Sequence, residues 1–573
     1  MMIFGALIPL LLLVVVIVVI RKIFTRDSHG APSAFSIRRL FQYALLFGLL
    51  TVSAQGVSGL IGRLFNIGQV IVESRTDLAR DITFALIGIP LYLLVGRWTQ
   101  RTLREDPTER RSIAWNAYLT LVTLTALVTA MTSAHGILMW ALGNDTLRGV
   151  QVSRLLVWGL IWFTHWRMIQ STAHEEESRP HYIIGSLIGL GVTAVGFGNL
   201  ITSVARLIFI NDDKSLLIRS TDPSIDALVL LIVGLPVWYQ YWLRITQHLK
   251  RELLWFSYVM LVGVAGGFIA LISSTSVIVY DSLVWFVGDT FDKNFAQHFN
   301  DSFSALGSGI VGLGVWWYHA GIIRHSQDPS ESRSEMRRVY EYIVSGISLI
   351  AASAGLMMVL VAIMESITPG EVVSTTSSAN TLLLAITLIL VGSPVWWFFW
   401  RRIQSNVAVD GHEQSSPTRR IFLLMLFGVS AIASVVSVLA GVFLFLDDLL
   451  NNQLGVETLR QMRYAVAILI SNAAISWYHW TIYKHERTIS VRKSKREKFV
   501  VLVGPKDAAF AREIEASIGG NVQMWDAQDG SVVDGQSSWE RSKVIELINS
   551  SESDQLMILN EKKKLRAIPF HKD

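Results

Sequence analysis

The chain has no cysteine among its 573 residues. That excludes disulfides, thiolate nucleophiles, Fe–S clusters and every cysteine-containing zinc site. Charge is also scarce: 17% of residues are Asp, Glu, Lys or Arg, against about 25% in a soluble domain. Few acids fall inside the apolar stretches, where an ion-coupled transporter needs a buried carboxylate. There is no phosphate-cradling Gly-x4-Gly-Lys-Ser/Thr, no zinc-binding His-Glu-x2-His and no Gly-x-Ser-x-Gly nucleophile turn. No basic stripe interleaved with aromatics occurs, which argues against nucleic acid as a partner. What is present is apolar: 51% hydrophobic residues, 19 of the chain's residues being Trp. This composition rules out a disordered chain and makes the lipid bilayer its main solvent.

A helix needs about 20 apolar residues to cross the hydrocarbon core. Ile3 to Ile20 is one such run, ended by Arg21 and Lys22. It has no basic region before it and no small-residue cleavage site after it, so residues 1–22 read as a retained anchor. Twelve further segments follow, centred within residues 40–61, 82–98, 113–142, 152–169, 183–209, 226–243, 254–279, 303–322, 340–364, 380–400, 421–446 and 464–482. Name them alternately A and B. The loops from each B to the next A are basic, as at Arg97, Arg101, Arg104, Arg110 and Arg111, whereas the A-to-B loops hold acids such as Asp222, Asp447 and Asp448. Positive charge stays inside. The expectation is a multi-pass protein of the bacterial plasma membrane, N-terminus outside and C-terminus cytoplasmic. The overall +5 charge is then a topology signal.

The B helices alternate between two kinds. Pro90, Pro236 and Pro394 sit in Gly-x-Pro sequences beginning at Gly88, Gly234 and Gly392. His165, His319 and His479 sit among Trp and Tyr in the other three. Equivalent residues recur about every 150 positions. The repeating unit is four helices, A–B(Pro)–A–B(His), present three times: 35–170, 179–327 and 333–485. An even number of helices gives all three units one orientation, with an axis along the membrane normal; a ring and a row both satisfy this. Asp106-Pro107-Thr108-Glu109 and Asp328-Pro329-Ser330-Glu331 read as helix starts, each a capping box with Pro at the first helical position.

Arg-Arg-x3-Tyr openings (Arg38, Arg39, Tyr43; Arg337, Arg338, Tyr342), the Asp-Pro-x-Glu starts and the Gly-x-Pro-x-Trp helices resemble the bacterial membrane family called domain of unknown function 5671, in tandem copies over about 38–485. The resemblance implies a polytopic bacterial membrane protein, no known activity and no catalytic residue to carry over. Arg179-Pro180-His181-Tyr182 and Lys250-Arg251 depart from the opening pattern in the middle copy.

Two sets of residues merit weighing for chemistry. His165, His319 and His479 are candidates for a ligand site, a haem or metal edge, or a proton relay. The simpler reading is an aromatic belt in which each imidazole bonds a backbone carbonyl or water. His135 has no counterpart in the other units. Pro90, Pro236 and Pro394 are candidate helix kinks, either lining a transport path or shaping packing. The glycines 185, 189, 191, 196 and 198 read as close helix packing, with pore lining as the alternative.

From about residue 498 to 573 the composition turns soluble. Phe499–Val503, Val522–Trp525 and Gln555–Leu559 read as strands; Asp507–Ile518 and Trp539–Ile548 read as helices. The Gly504-Pro505-Lys506-Asp507 turn sits where α/β folds receive phosphates. Lys562, Lys563 and Lys564 read as a lipid contact or an exposed turn. The whole is expected to be an all-α polytopic membrane protein of about thirteen spans, with three four-helix repeats and a small C-terminal cytoplasmic α/β domain. It is expected to be no enzyme and to hold no metal or cofactor. Three functions stay open: a membrane scaffold or sensor whose tail binds a cytoplasmic protein or a ligand, a transporter or channel with a path near the Pro helices, and a His-based metal or haem protein. Oligomeric state is not legible.

Overall fold

The computed structural model describes residues 34–65, 75–172, 175–209, 222–290, 294–324, 331–368, 378–409, 416–493, 499–504, 507–518, 520–525, 539–551, 553, 555–561 and 564–570. The expected anchor at 1–22, the Asp328-Pro329-Ser330 cap and Lys562-Lys563 lie outside the described residues.

Among the described residues, twelve long helical rods make up the apolar part: α1 Ala34–Leu64, α2 Arg75–Glu105, α3 Ile113–Ala141, α4 Gly149–Thr172, α5 Glu175–Phe209, α6 Pro223–His248, α7 Leu253–Val287, α8 Asn300–Arg324, α9 Glu331–Ile367, α10 Ser378–Val409, α11 Pro417–Leu450 and α12 Arg463–Lys493. Ten of them are long and apolar enough to cross a membrane; α4 and α12 are not among the ten. The chain is a multi-pass membrane protein. Of the thirteen expected spans, the anchor lies outside the described residues and α4 and α12 fall short of the others in apolar length; in α4, polar residues meet neighbouring helices. Ser153 Oγ donates to the Ser58 carbonyl at 2.6 Å, and His165 reaches the Tyr118 hydroxyl at 3.4 Å. Intramembrane polar groups are tolerated when neighbours satisfy them.

Two rods are not regular. In α6 the α-helix runs through Pro236 to Trp238, then widens to a π turn at Tyr239–Leu243 and ends in a 3₁₀ turn at Thr246–His248. Thr246 Oγ1 donates to the Tyr241 carbonyl at 2.7 Å, filling one of the bonds lost there. In α7 residues Tyr258–Gly266 form a longer π stretch. By contrast, α2 and α10 stay α-helical through Pro90 and Pro394.

Glycines set the packing of the Pro helices. A Cβ placed on Gly88 would meet Ser53 Oγ at 2.8 Å, one on Gly234 the Thr193 nitrogen at 2.8 Å, and one on Gly392 the Ala352 nitrogen at 2.6 Å. The preceding A helices answer with Gly56, Gly196 and Gly355, whose missing Cβ atoms face Ala85, Leu231 and Ile389 backbone nitrogens at 2.6, 2.9 and 2.8 Å. So in each of the three hairpins α1–α2, α5–α6 and α9–α10, two glycines let the backbones touch. Helix α1 also packs on α4, as α5 does on α8.

The contacts divide the chain into two compact units, Met1–Asn406 with Ala431–Ala473, and Val407–Ser430 with Ala474–Asp573. In the second, Phe427 packs on Trp480 at 4.8 Å between ring centres. The second also contains the C-terminal α/β tail: β1 Phe499–Val503, α13 Ala508–Ile518, β2 Asn521–Trp525, α14 Arg541–Ser550, β3 Gln555–Glu561 and β4 Lys564–Pro569. The sheet order is β2-β1-β3-β4, with β1 parallel to β2 and β3, and β4 antiparallel to β3. Val500, Leu502, Leu556 and Ile558 meet Phe510, Ile514, Val544 and Ile548 in one apolar cluster. Strand β4 was not expected; Glu561 pairs with Lys564, so part of the lysine run belongs to a hairpin strand.

Candidate functional site

Helices α1 to α4 enclose a cavity of about 190 Å³ toward the end of the module that carries the basic loops. Tyr92, Thr99 and Gln100 reach it from the Pro-bearing α2, Arg110 from the loop, Trp115 and Tyr118 from α3, and His165 from α4. The His165 Nδ1 lies 2.9 Å from the Ile161 carbonyl one turn back. A carbonyl only accepts, so Nδ1 donates this bond, and Nε2 lies 3.4 Å from the Tyr118 hydroxyl. The two rings stand edge to face, 6.0 Å and 64° apart.

The other histidines repeat the first bond. His319 Nδ1 donates to Val315 O and His479 Nδ1 to Ile475 O, both at 2.8 Å. Around His319 the ring geometry repeats too: Tyr258 stands edge-on at 5.8 Å and 64°. Trp242 and Gly263 fill the remaining space, and His319 is fully buried. The shared spacing is Trp115-x2-Tyr118 and Trp255-x2-Tyr258, a signal the sequence offers once the helices are aligned. His165 and His319 thus lie in separate ring clusters, each built from its own module. Among the described residues no group of three His, Asp or Glu side chains lies together as a metal site requires. His135 pairs with Asp226 of α6, Nε2 to Oδ1 at 3.0 Å, tying α3 to the next module.

The charged motifs meet each other. Arg39 donates from Nε and Nη2 to Glu109 Oε2, both at 2.7 Å, and the Tyr43 hydroxyl donates to Oε1 at 3.2 Å. The Glu109 side chain is fully buried. It is therefore not the returning half of a capping box. Asp106 caps alone, accepting from the Thr108 nitrogen at 2.9 Å and its hydroxyl at 2.6 Å, and the turn Pro107–Arg111 is 3₁₀. Those two bonds hold the Asp106 carboxyl below its ordinary value. In the middle module Arg179 pairs with Glu252, restoring the Arg–Glu link where the Arg-Arg spelling is lost. In the third, buried Glu341 lies 3.2 Å from Arg337 Nε and 3.1 Å from Arg402 Nε.

The sequence shows few acids inside the apolar stretches. Asp81, near the start of α2, is nonetheless buried, 3.5 Å from Arg63 and 3.1 Å from Arg80. In the tail, Asp507 Oδ1 accepts from the nitrogens of Ala509 and Phe510 at 3.1 and 3.0 Å. Its carboxylate occupies the place where a phosphate would bind at the start of α13.

A search of curated proteins and of solved structures gives no match. The family model of the domain of unknown function (DUF5671) matches residues 39–150, 181–308 and 338–474. These three tandem copies cover more than half of the chain, which therefore belongs to that family.

Proposed function

We propose that this protein is a non-enzymatic scaffold or sensor of the bacterial plasma membrane, with its N-terminus outside and its α/β tail binding a cytoplasmic protein. One observation carries the reading: the Gly-x-Pro glycines lie against the backbone of the preceding helix in all three hairpins. The motif that could break a helix for transport is thereby engaged in packing. The histidines, too, bond their own helix, and the buried acids Asp81, Glu109 and Glu341 bond arginines. In this reading α4 and α12 also cross the membrane, with residues 1–22 as a thirteenth span.

The tail offers the docking surface. Strand β2 is at the sheet edge, and Trp525 at its end is half-exposed. Edge strands with an exposed aromatic favour strand addition by a partner. A second reading, transport, draws on the π turn that follows Pro236, since such irregular winding can line a path.

The absence of native cysteine gives a clean test of orientation. Gln453→Cys should react with a membrane-impermeant maleimide on intact cells, and Gln523→Cys only after lysis. The reverse pattern overturns the orientation. A photo-reactive residue at Gln523 should capture one discrete cytoplasmic protein, lost with Trp525→Ala. Absence of any discrete adduct refutes a partner-binding tail.

A further inference from the structure

The middle module holds a larger cavity, about 380 Å³, between α5, α7 and α8. The glycine-rich face of α5 divides here. Gly185, Gly189 and Gly196 lie against α6 at Tyr241, Trp238 and Leu230, whereas Gly191 and Gly198 border the cavity. Its α7 wall includes Val262 and Gly266 of the π stretch, a winding that often marks functional sites.

The cavity is polarised along the membrane normal. At the end nearer the basic loops its walls are Leu187, Val262 and Val315. At the opposite end they are Asn199, Thr202, Ser304 and Ser308. From Leu187 to Thr202 the helix rises about 22 Å. A single water occupies about 30 Å³, so water alone would need to number about a dozen against largely aliphatic walls. A hydrocarbon chain fits those walls better. At the polar end Asn199 is exposed with no partner among the described residues. Arg206, two turns further along α5 and one turn beyond the lining residue Thr202, donates through Nη2 to Ser304 Oγ at 3.3 Å and Asn300 O at 3.4 Å. Its Nε is buried with no partner among the described residues. A guanidinium one turn beyond the polar end of an apolar slot is what a phosphate headgroup requires.

We propose that this cavity holds one hydrocarbon chain of an anionic phospholipid, from the leaflet away from the basic loops, with Arg206 receiving its phosphate. Asn199 and Ser304 orient the headgroup. The Gly191 and Gly198 positions leave room for the chain, and the π winding of α7 keeps the slot open.

The test is native mass spectrometry of the purified full chain in detergent, with phosphatidylglycerol or phosphatidylcholine of identical chains added. Wild type should retain one phosphatidylglycerol in preference to phosphatidylcholine. Arg206→Gln should weaken phosphatidylglycerol retention about tenfold, the size of one lost charge-assisted bond. It should leave phosphatidylcholine retention unchanged. Gly191→Leu, whose new Cβ meets nothing within 4 Å, should fill the slot and abolish retention of both lipids. Gly314→Leu, at another open position outside the cavity lining, serves as the folding control and should behave as wild type. Equal retention of the two lipids by wild type overturns the headgroup assignment. Unchanged retention in Gly191→Leu overturns the site.

Discussion

Arg39 grips Glu109 with two guanidinium nitrogens, each 2.7 Å from the same carboxylate oxygen, across 70 positions of sequence. The carboxylate is fully buried and its second oxygen takes the Tyr43 hydroxyl. Removing one partner of such a pair strands the other in a poor solvent. Glu109→Ala should therefore lower stability by about 3 kcal/mol. Glu109→Gln, which keeps an acceptor, should cost less. Arg101→Ala breaks an exposed pair with Glu105 and should leave the thermal midpoint unchanged. Thermal unfolding of the detergent-solubilised protein separates these outcomes, and equal midpoints for Glu109→Ala and Arg101→Ala would refute the lock.

That link shows how far the sequence could be read. The residues Arg38, Arg39, Tyr43, Asp106 and Glu109 were all visible as motifs, because each repeats in spelling or spacing. Their mutual contact was not, because it joins the start of one helix to the loop before another. A local pattern favours the local interpretation, so Glu109 read as half of a capping box. Asp81 carried no signal of its own. Its neighbours Arg80 and Asp77 make the helix start look interfacial, and burial depends on Gly59 of α1 leaving room for its carboxylate. The Gly-x-Pro helices were legible as a repeat, and Gly196 stood out in its glycine-rich helix, yet Gly56 and Gly355, which complete the same packing in the other two hairpins, carry no flanking signature. In the tail, the apolar strands β1 and β3 stood out, whereas β4 begins inside a lysine run and takes its conformation from pairing with β3.

Two asparagines join successive modules in the same manner. Asn144 accepts from the Asp222 nitrogen at 2.5 Å and donates to the Asp222 carbonyl at 3.0 Å. Asn380 accepts from the Asp289 nitrogen at 3.0 Å and donates to the Asp289 carbonyl at 2.9 Å. Each amide substitutes for a strand partner at a helix end. Asn144→Ala and Asn380→Ala should each cost about 2 kcal/mol, for two bonds at about 1 kcal/mol each. Hydrogen exchange at Asp222 and Asp289, respectively, should rise in the matching variant alone. Exchange that stays at the wild-type rate would remove the clamp interpretation.

Acid stability should carry the signature of Asp106. Donation from the Thr108 nitrogen and hydroxyl lowers its folded value below the ordinary 3.8. A lowered carboxyl stabilises the fold above its unfolded value, and that contribution disappears as pH falls through the folded value. The affected window is therefore below about pH 4. Thr108→Val removes one donor and should make unfolding less steep with pH in that window, with no change in slope at neutral pH. An identical acid limb for the variant and the wild type contradicts the assignment.

The hairpin glycines make the sharpest stability test, because chemistry is constant and only space differs. An added methyl at Gly392 would face the Ala352 backbone nitrogen at 2.6 Å, and one at Gly234 the Thr193 nitrogen at 2.8 Å. Backbone cannot move aside as a side chain can, so the helices must separate. Gly234→Ala and Gly392→Ala should each cost about 1 to 3 kcal/mol by overpacking. At Gly88 the nearest atom is the Ser53 hydroxyl at 2.8 Å, with backbone nitrogen further off at 3.2 Å. That hydroxyl donates to Leu49 O at 2.7 Å, so displacing it costs a bond but not a helix shift. Gly88→Ala should therefore be the mildest of the three, and Ser53→Ala should rescue part of it. Gly96→Ala, in open space on the same helix, should stabilise slightly, since alanine favours a helix over glycine by about 1 kcal/mol. Were all four substitutions to shift the thermal midpoint alike, the close approach of these hairpins would not be what the Gly-x-Pro motif provides.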